Sequence, residues 1–277
     1  MGLTCSTKKA FKYHKLAANQ KHVYAQKNIR IKQNDKNAFK NHKLAADKGN
    51  ADAQYYLGWC YHNGIGVEQN YEKAFKYFKL SADKGYAKTQ CHLGYCYHNG
   101  IGVEQNYVKA FKYYTLAVDQ GYAEAQYNLG LCYRDGIGVE RNDEKGAKYY
   151  KLAADQEHAI GQNNLGYCYH KGIGVERNYE EAIKYFKLSA NQGYAPAQHN
   201  LGVCYGYGVG VEQNIEEAFK YYKLAADQGH AGAQTGLGWC YHNGIGVERN
   251  PEEAIKYYKL AADQGNAYAL DKLSKLV

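Results

Sequence analysis

The sequence predicts an all-α fold, a right-handed α/α superhelical solenoid of two-helix repeats. The string LGWCYHNGIGVEQN begins at Leu57 and returns every 36 residues. Self-similarity at such a period indicates a solenoid, in which each unit buries its apolar face against its neighbours. Within each copy, apolar residues recur at helical spacing, and asparagine or glycine stands where helices begin or end. Close copies begin at Leu93, Leu129, Leu165, Leu201 and Leu237, and a truncated copy begins at Leu273.

The period divides the chain into three parts. Residues 51–266 hold six repeats of 36 residues, and residues 267–277 hold a truncated one that we expect to form a C-terminal capping helix. The strings AFKYHKLAANQ and AFKNHKLAADKG both match a second helix but lie only 28 residues apart. We therefore interpret residues 1–50 as a basic, degenerate remnant of repeats. The six repeats are 51–86, 87–122, 123–158, 159–194, 195–230 and 231–266.

The first helix of each repeat is predicted over a segment such as ADAQYYLGWCYHN. Its residues Ala53, Leu57 and Cys60 share one face, and Gly64 follows where a left-handed residue ends a helix. A glycine inside this helix, Gly58, costs about 1 kcal/mol relative to alanine. Because every full repeat carries this glycine, we predict that a large side chain of the partner helix rests against the bare backbone there.

The second helix begins after Asn70, which we expect to act as its N-cap, and ends at Gly85. In three repeats a glutamate stands three residues after the asparagine, which predicts a capping box. These glutamates are Glu181, Glu217 and Glu253. Glu157 replaces the terminal glycine once, so we expect a strained or loosened junction between the third and fourth repeats.

The residues of one hairpin resemble a known class of helical repeat. Leu57-Gly58-x-x-Tyr61 followed by Ala74-x-x-x-Phe78 is similar to the tetratricopeptide pattern. The longer GxGV turn and the 36-residue period resemble the Sel1-like repeat family over residues 51–277. This resemblance implies a scaffold or adaptor that assembles protein complexes. It also implies no disulfide here, because the secreted branch with a disulfide in each repeat has paired cysteines, whereas this chain has one regularly spaced cysteine per repeat.

The net charge of +8 is concentrated at one end of the chain. Residues 1–50 contain 12 Lys and Arg against two Asp, whereas residues 51–277 contain 23 basic and 25 acidic residues. A balanced solenoid is poorly suited to neutralising phosphates, so nucleic-acid binding along the repeats is not expected. The alternative function left open is association with nucleic acid or an anionic membrane through the basic N-terminal 50 residues.

Targeting signals are sparse in this sequence. No run approaches the roughly 18 apolar residues of a membrane span, and no apolar segment follows Met1. We therefore expect a cytoplasmic protein. Gly2 and Cys5 fit a myristoylation and palmitoylation pattern, which would add membrane anchoring. The same residues can equally be read as the remainder of a GIGVEQN turn.

No pattern in the sequence predicts catalysis, a cofactor or a metal. Cys60 and His62 suggest a Cys–His pair, but residues two apart on a helix point about 200° from each other. The GIG turn lacks the third glycine and the strand of a dinucleotide site. Equivalent helices of neighbouring repeats should lie about 8–10 Å apart, beyond the roughly 7 Å between Cα atoms that a disulfide allows. The chain is therefore predicted to be non-enzymatic, with free cysteines.

The variable positions of the first helix predict a binding surface. The positions of Tyr55, Trp59 and His62 share a face at spacing i, i+4 and i+7, and they differ between repeats. We predict that this face lines an aromatic and cationic concave groove that binds a protein or peptide. The alternative is ordinary packing between neighbouring first helices. The candidate residues are Tyr55, Trp59, His62, Tyr95, His98, Tyr127, Arg134, Tyr167, His170, Trp239 and His242.

Overall fold

The computed structural model describes residues 35–276, and this part of the chain forms fourteen α-helices and no β-strand. The helices are α1 (Asp35–Asp47), α2 (Ala51–Asn63), α3 (Tyr71–Ala82), α4 (Ala87–Asn99), α5 (Tyr107–Val118), α6 (Ala123–Asp135), α7 (Asp143–Asp155), α8 (Ala159–Lys171), α9 (Tyr179–Asn191), α10 (Ala195–Tyr207), α11 (Ile215–Asp227), α12 (Ala231–Asn243), α13 (Pro251–Ala262) and α14 (Ala267–Leu276). Each repeat thus contributes a first helix (α2, α4, α6, α8, α10, α12) and a second helix (α3, α5, α7, α9, α11, α13).

The chain forms two compact units, Met1–Ala125 and Gln126–Val277. In the first unit, each described helix from α1 to α5 packs against the next. In the second unit, the helices from α7 to α14 do the same, and the first helices α10 and α12 also contact each other. The predicted all-α solenoid of two-helix repeats is therefore confirmed.

An asparagine stands immediately before the second helix of each of the six repeats. The Oδ1 atom of Asn70 accepts the backbone N–H of Lys73 at 2.8 Å, and Asn214 accepts that of Glu217 at 3.0 Å. The extended backbone of these residues directs the side chain back over the first helical turn, where N–H groups have no partner within the helix. The predicted N-caps are confirmed at Asn70, Asn106, Asn142, Asn178, Asn214 and Asn250.

The predicted capping boxes do not form. The backbone N–H of Asn178 donates to the carbonyl of Tyr169 in the preceding helix at 2.9 Å, so it does not need the Glu181 side chain. Glu181 instead accepts from Lys184 Nζ at 3.0 Å. The other two glutamates behave in the same way, and the three ion pairs are Glu181–Lys184, Glu217–Lys220 and Glu253–Lys256.

Close approach between the two helices of a hairpin explains the glycine inside the first helix. A Cβ atom at Gly58 would lie 2.6 Å from Phe78 Cδ1, and one at Gly202 would lie 2.6 Å from Tyr222 Cδ1. Real side chains do not approach so closely, so only glycine lets the ring rest on the backbone. The predicted contact is confirmed in all six repeats, with the pairs Gly58–Phe78, Gly94–Tyr114, Gly130–Tyr150, Gly166–Phe186, Gly202–Tyr222 and Gly238–Tyr258.

The junction at Glu157 keeps the geometry that glycine has elsewhere. Glu157 is the one non-glycine residue with positive φ among residues 35–276, at +60°, and its N–H still donates to the Ala154 carbonyl at 3.0 Å. The equivalent Gly229 has φ +88° and donates to Ala226 at 2.8 Å. The expected strain is present as left-handed backbone, whereas the hydrogen bonding is not loosened.

The regularly spaced cysteines lie in the core beside the glycine contact. Burial raises the pKa of Cys96 and Cys132 to about 12 and that of Cys168, Cys204 and Cys240 to about 11. All five are free thiols. Because the thiolate is the reactive form, these cysteines act as small apolar core side chains.

Candidate partner-binding face

The first-helix face is the surface that the positions of Tyr55, Trp59 and His62 form on the first helices of each unit. Its middle position holds large aromatic side chains that remain half exposed. Tyr167 is 44% exposed and Trp239 is 40% exposed in the second unit, and Tyr95 is 46% exposed in the first. The flanking residues are buried glycine and cysteine, and a helix turns about 100° per residue. The middle side chain is therefore carried away from the second helix.

The first position of the face lies in the interior instead. Tyr55 is only 7% exposed, and its ring centroid is 5.8 Å from Phe78 and 6.3 Å from His92 of the next repeat. Tyr127 is half buried, with its ring 6.1 Å from Tyr150. Tyr55 is thus not an exposed contact residue, because the following repeat packs over it.

The third position is occupied mostly by histidines that contact the start of the second helix. The ring centroid of His62 lies 5.2 Å from that of Tyr71, edge to face, and His170 lies 5.5 Å from Tyr179. Burial lowers the pKa of His62, and burial followed by nearby Lys171 and Arg177 lowers that of His170. These two histidines are neutral at pH 7, so they supply aromatic edges and not the cationic charge expected from the sequence. His98 packs on Tyr107 in the same way, and Trp59 and His242 are also half buried.

Arg134 brings a positive charge to the face, and its own neighbour compensates it. Its Nε and Nη2 atoms each donate to the Asp135 carboxylate at 2.7 Å. This hydrogen bond raises the pKa of Arg134, with further contributions from Tyr150 and Tyr127. The guanidinium group is therefore held by the carboxylate of the adjacent residue.

The structure adds a cavity of about 280 Å³ that the sequence did not predict. It opens among α10, α11, α12 and α14 of the second unit. Gly206, Gly232 and Gly236 line it at positions where other repeats carry larger side chains. The exposed Tyr207 and Tyr268 also line it, beside the predicted Trp239. The only sign of this cavity in the sequence is the three glycines. Each replaces a larger side chain, and only the packing of neighbouring repeats brings the three positions together.

The remaining predicted features concern metal binding, membrane spans and the N-terminal segment. Across residues 35–276, no three His, Cys, Asp or Glu side chains come close enough to hold a metal ion. None of the helices described is both long and apolar enough to cross a membrane. Gly2, Cys5 and most of the basic N-terminal segment lie outside the described residues.

Comparison with known proteins gives a family and a set of related structures. The Sel1 repeat model matches eight segments: 6–22, 29–50, 51–86, 87–122, 123–158, 159–194, 195–230 and 231–266. The first two segments lie in the N-terminal part whose resemblance to the repeats is weaker. No curated protein sequence matches the chain significantly.

Three solved structures show the same repeat fold. A protective antigen of uropathogenic Escherichia coli with an SLR fold is 33% identical, with a TM-score of 0.78 over 86% of this chain and 51% of the antigen. The chain thus spans about half the antigen's length. A Sel1 repeat protein from Oxalobacter formigenes is 29% identical, with a TM-score of 0.73 over 93% of this chain and 94% of that one. An immunity protein from Pseudomonas aeruginosa, 22% identical over 77% of this chain and 81% of its own, shares the fold with a TM-score of 0.51. With eight matched repeats and these structural relatives, the chain belongs to the Sel1 repeat family.

Proposed function

We propose that this chain is a non-enzymatic scaffold or adaptor that binds a protein or peptide partner on the first-helix face of residues 126–277. Sel1 repeats commonly mediate protein–protein interaction. The specific face is our inference. The observation that supports it is the pair of half-exposed aromatic side chains, Tyr167 and Trp239, held on rigid helices.

Rigid exposed aromatic side chains are suited to binding for two physical reasons. They offer large contact areas with few rotatable bonds, so little conformational entropy is lost when a partner covers them. Tyrosine and tryptophan are also enriched among the few residues that dominate binding energy. A cavity next to Trp239 adds a recess for an anchoring side chain.

A second surface of the same unit supplies a matched comparison. The second helices expose one leucine per repeat, among them Leu188 at 42% and Leu224 at 43%. Their exposure is close to that of Tyr167 and Trp239. Neither leucine lines the aromatic cavity beside Trp239, and Leu188 borders a separate recess without aromatic rings. If apolar exposure alone attracted the partner, these leucines would serve as well.

The experiment compares full-length variants as baits for the same native lysate, with quantitative mass spectrometry of the bound proteins. The double variant Tyr167→Ala and Trp239→Ala should weaken the specific partner by about 2–4 kcal/mol, the range for paired hot spots. This corresponds to a loss of affinity of about 30-fold or more, to be measured by calorimetry once the partner is purified.

The control is the double variant Leu188→Ala and Leu224→Ala, which removes a similar exposed apolar area from the second helices. It should bind the partner as the wild type does, and circular dichroism should show both variants folded. Loss of binding in the leucine variant, with binding kept in the aromatic variant, would place the partner on the second helices instead.

The basic N-terminal segment supports the alternative function. With 12 Lys and Arg against two Asp in residues 1–50, this segment is predicted to attract nucleic acid or an anionic membrane, with anchoring if Gly2 and Cys5 are acylated. RNA or vesicle binding that weakens steeply with salt, and disappears when this segment's lysines are changed to glutamine, would support it. The cytoplasmic location also remains a prediction.

A further inference from the structure

The cavity of the second unit lies at the C-terminal end of α10. Its volume of about 280 Å³ is near the lower limit for ligand pockets, which run from about 300 to 1,000 Å³. It is therefore sized for a single side chain. Its walls include the aromatic groups of His199, Tyr207, Tyr222, Trp239 and Tyr268.

The cavity exists because Gly206 of repeat 195–230, like Gly232 and Gly236 of the next repeat, replaces a larger side chain of the other repeats. Gly206 occupies the position that His62, His98, Arg134, His170 and His242 fill elsewhere. A Cβ atom at Gly206 would lie 3.7 Å from Ala218 Cβ and 3.7 Å from the Tyr222 hydroxyl, which is ordinary contact distance. The backbone therefore leaves room here for a group that this chain does not supply.

Repeat 123–158 shows what occupies the equivalent space when the chain supplies it. Arg134 stands at the position of Gly206, where its guanidinium donates to the Asp135 carboxylate, and the same repeat carries Tyr150 and Tyr127. These residues are equivalent to Tyr222 and His199, which line the cavity. An arginine side chain thus occupies this position in one repeat, and the same position is open in the other.

The end of α10 beside the cavity also lacks a positively charged side chain. Among the described first helices from α2 to α12, only α10 has no basic residue in its last turn. The partial negative charge at that helix end is therefore not balanced by a side chain of α10. No Asp, Glu, Lys or Arg lies among the described lining residues. Burial, followed by the charge of His230, lowers the pKa of His199 to about 4, whereas a hydrogen bond to Asn200 acts to raise it. His199 is therefore neutral at pH 7.

We propose that the cavity binds the guanidinium group of an arginine side chain presented by the protein partner. This inference rests on the function proposed above, in which the partner is a protein. Arginine fits better than lysine because its planar, weakly hydrated group stacks on aromatic faces and loses less hydration free energy on burial. The occupant would fill in repeat 195–230 the position that Arg134 fills in its own repeat, with the ring of Tyr207 in place of the Asp135 carboxylate.

The test uses the full chain with Trp59→Phe, which leaves Trp239 as the single tryptophan and its fluorescence as the readout. The probes are the N-acetyl amides of arginine, citrulline, lysine and phenylalanine. The arginine probe should bind saturably, with a Kd on the order of 1 mM. Citrulline has nearly the same shape without the charge, and it should bind at least about tenfold more weakly.

Gly206→Arg should fill the cavity from within and weaken the arginine probe at least about tenfold. The matched control is His170→Arg, the same change at the equivalent position of repeat 159–194, and it should leave probe binding unchanged. Citrulline or phenylalanine binding as tightly as arginine, lysine binding more tightly, no saturable binding, or an unaffected Gly206→Arg variant would each overturn the proposal.

The partner identified by pull-down separates this inference from the proposed function. Tyr167 does not line the cavity, so Tyr167→Ala tests the part of the face outside it, and Gly206→Arg tests the part of the face that the cavity occupies. Weaker partner binding in both variants supports both conclusions. If Tyr167→Ala weakens the partner and Gly206→Arg does not, the binding face stands and the arginine site falls.

Discussion

Repeats 123–158 and 195–230 share a core and differ at the end of the first helix. Gly130 and Gly202 each let a buried tyrosine ring rest on the helix backbone at nearly the same distance. Four residues later, one repeat has Arg134 paired with Asp135, and the other has Gly206 followed by the exposed Tyr207. The hairpin geometry does not depend on these later positions, so they are free to vary for recognition.

Two further differences between these repeats bear on the face and on the backbone. Tyr127 in one is His199 in the other, and Glu157 in one is Gly229 in the other. The first difference changes which side chain lines the face, whereas the second changes only the strain of a backbone that keeps its hydrogen bonds. Variants at these positions, compared in three experiments, distinguish the residues that the fold requires from those that it tolerates.

The largest effect should come from adding a methyl group to one of two glycines in α10. In Gly202→Ala the new Cβ would lie 2.6 and 2.7 Å from two atoms of the Tyr222 ring. Because both groups are buried, the free energy of unfolding should fall by about 2–3 kcal/mol. In Gly206→Ala the atoms nearest to the new Cβ are 3.7 Å away. The higher helix propensity of alanine should therefore raise the free energy of unfolding by about 0.5–1 kcal/mol.

Urea unfolding followed by circular dichroism measures both variants against the wild type. Equal effects of the same sign would show that the two positions are not distinguished by packing, and the division into core and recognition positions would fail.

These positions also show how far the sequence alone could go. A glycine inside an amphipathic helix is costly unless something replaces its side chain, so the contact at Gly202 could be predicted. The burial of Tyr55 could not, because the covering residue, His92, belongs to the next repeat. The failed capping box at Glu181 has a similar cause, since a carbonyl of the preceding helix satisfies the Asn178 N–H.

The cavity was missed for the same kind of reason. It is formed by absent side chains at Gly206, Gly232 and Gly236, and α10 and α12 must be side by side before these absences become one space. Local sequence patterns specify helix ends and the faces of a hairpin. Contacts and cavities between neighbouring repeats depend on which side chains meet across about 30 residues.

The second effect concerns His199, which is packed against Tyr222 and His230 with ring centroids 6.0 and 4.7 Å away. Its folded pKa of about 4 lies below the ordinary 6.5. As pH falls from 6.5 to 4, the unfolded chain therefore binds a proton that the folded chain does not, and stability decreases. The penalty from His199 at pH 5 should be about 2 kcal/mol relative to pH 7.5.

His199→Asn, which copies Asn163 at the equivalent position, should remove this part of the pH dependence. The measurement is the urea midpoint of both proteins between pH 5 and 7.5. Asn200 and Thr235 nearby do not titrate in this range. The residual slope should come from the other buried histidines, chiefly His92, whose pKa burial lowers to about 4, and also His62, His170 and His230, whose pKa values burial lowers. An unchanged slope would mean that His199 is protonated in the folded protein, and the cavity would then repel a cation.

The smallest effect concerns the junction after the second helix. Glu157 has φ +60° where glycine stands in the other repeats, and a side chain in left-handed backbone costs about 1–2 kcal/mol. Glu157→Gly should therefore raise the free energy of unfolding by about 1 kcal/mol, after the greater flexibility of glycine in the unfolded chain is allowed for. Glu157→Asn should recover part of that gain, since asparagine tolerates this conformation. The reciprocal change Gly229→Glu should lower stability by about the same 1 kcal/mol, because it imposes on repeat 195–230 the strain that repeat 123–158 already bears. The urea midpoints of the three variants show whether left-handed backbone at this position costs stability. If Gly229→Glu is stabilised, or if Glu157→Gly is no more stable than the wild type, then Glu157 makes a compensating contact in its own repeat.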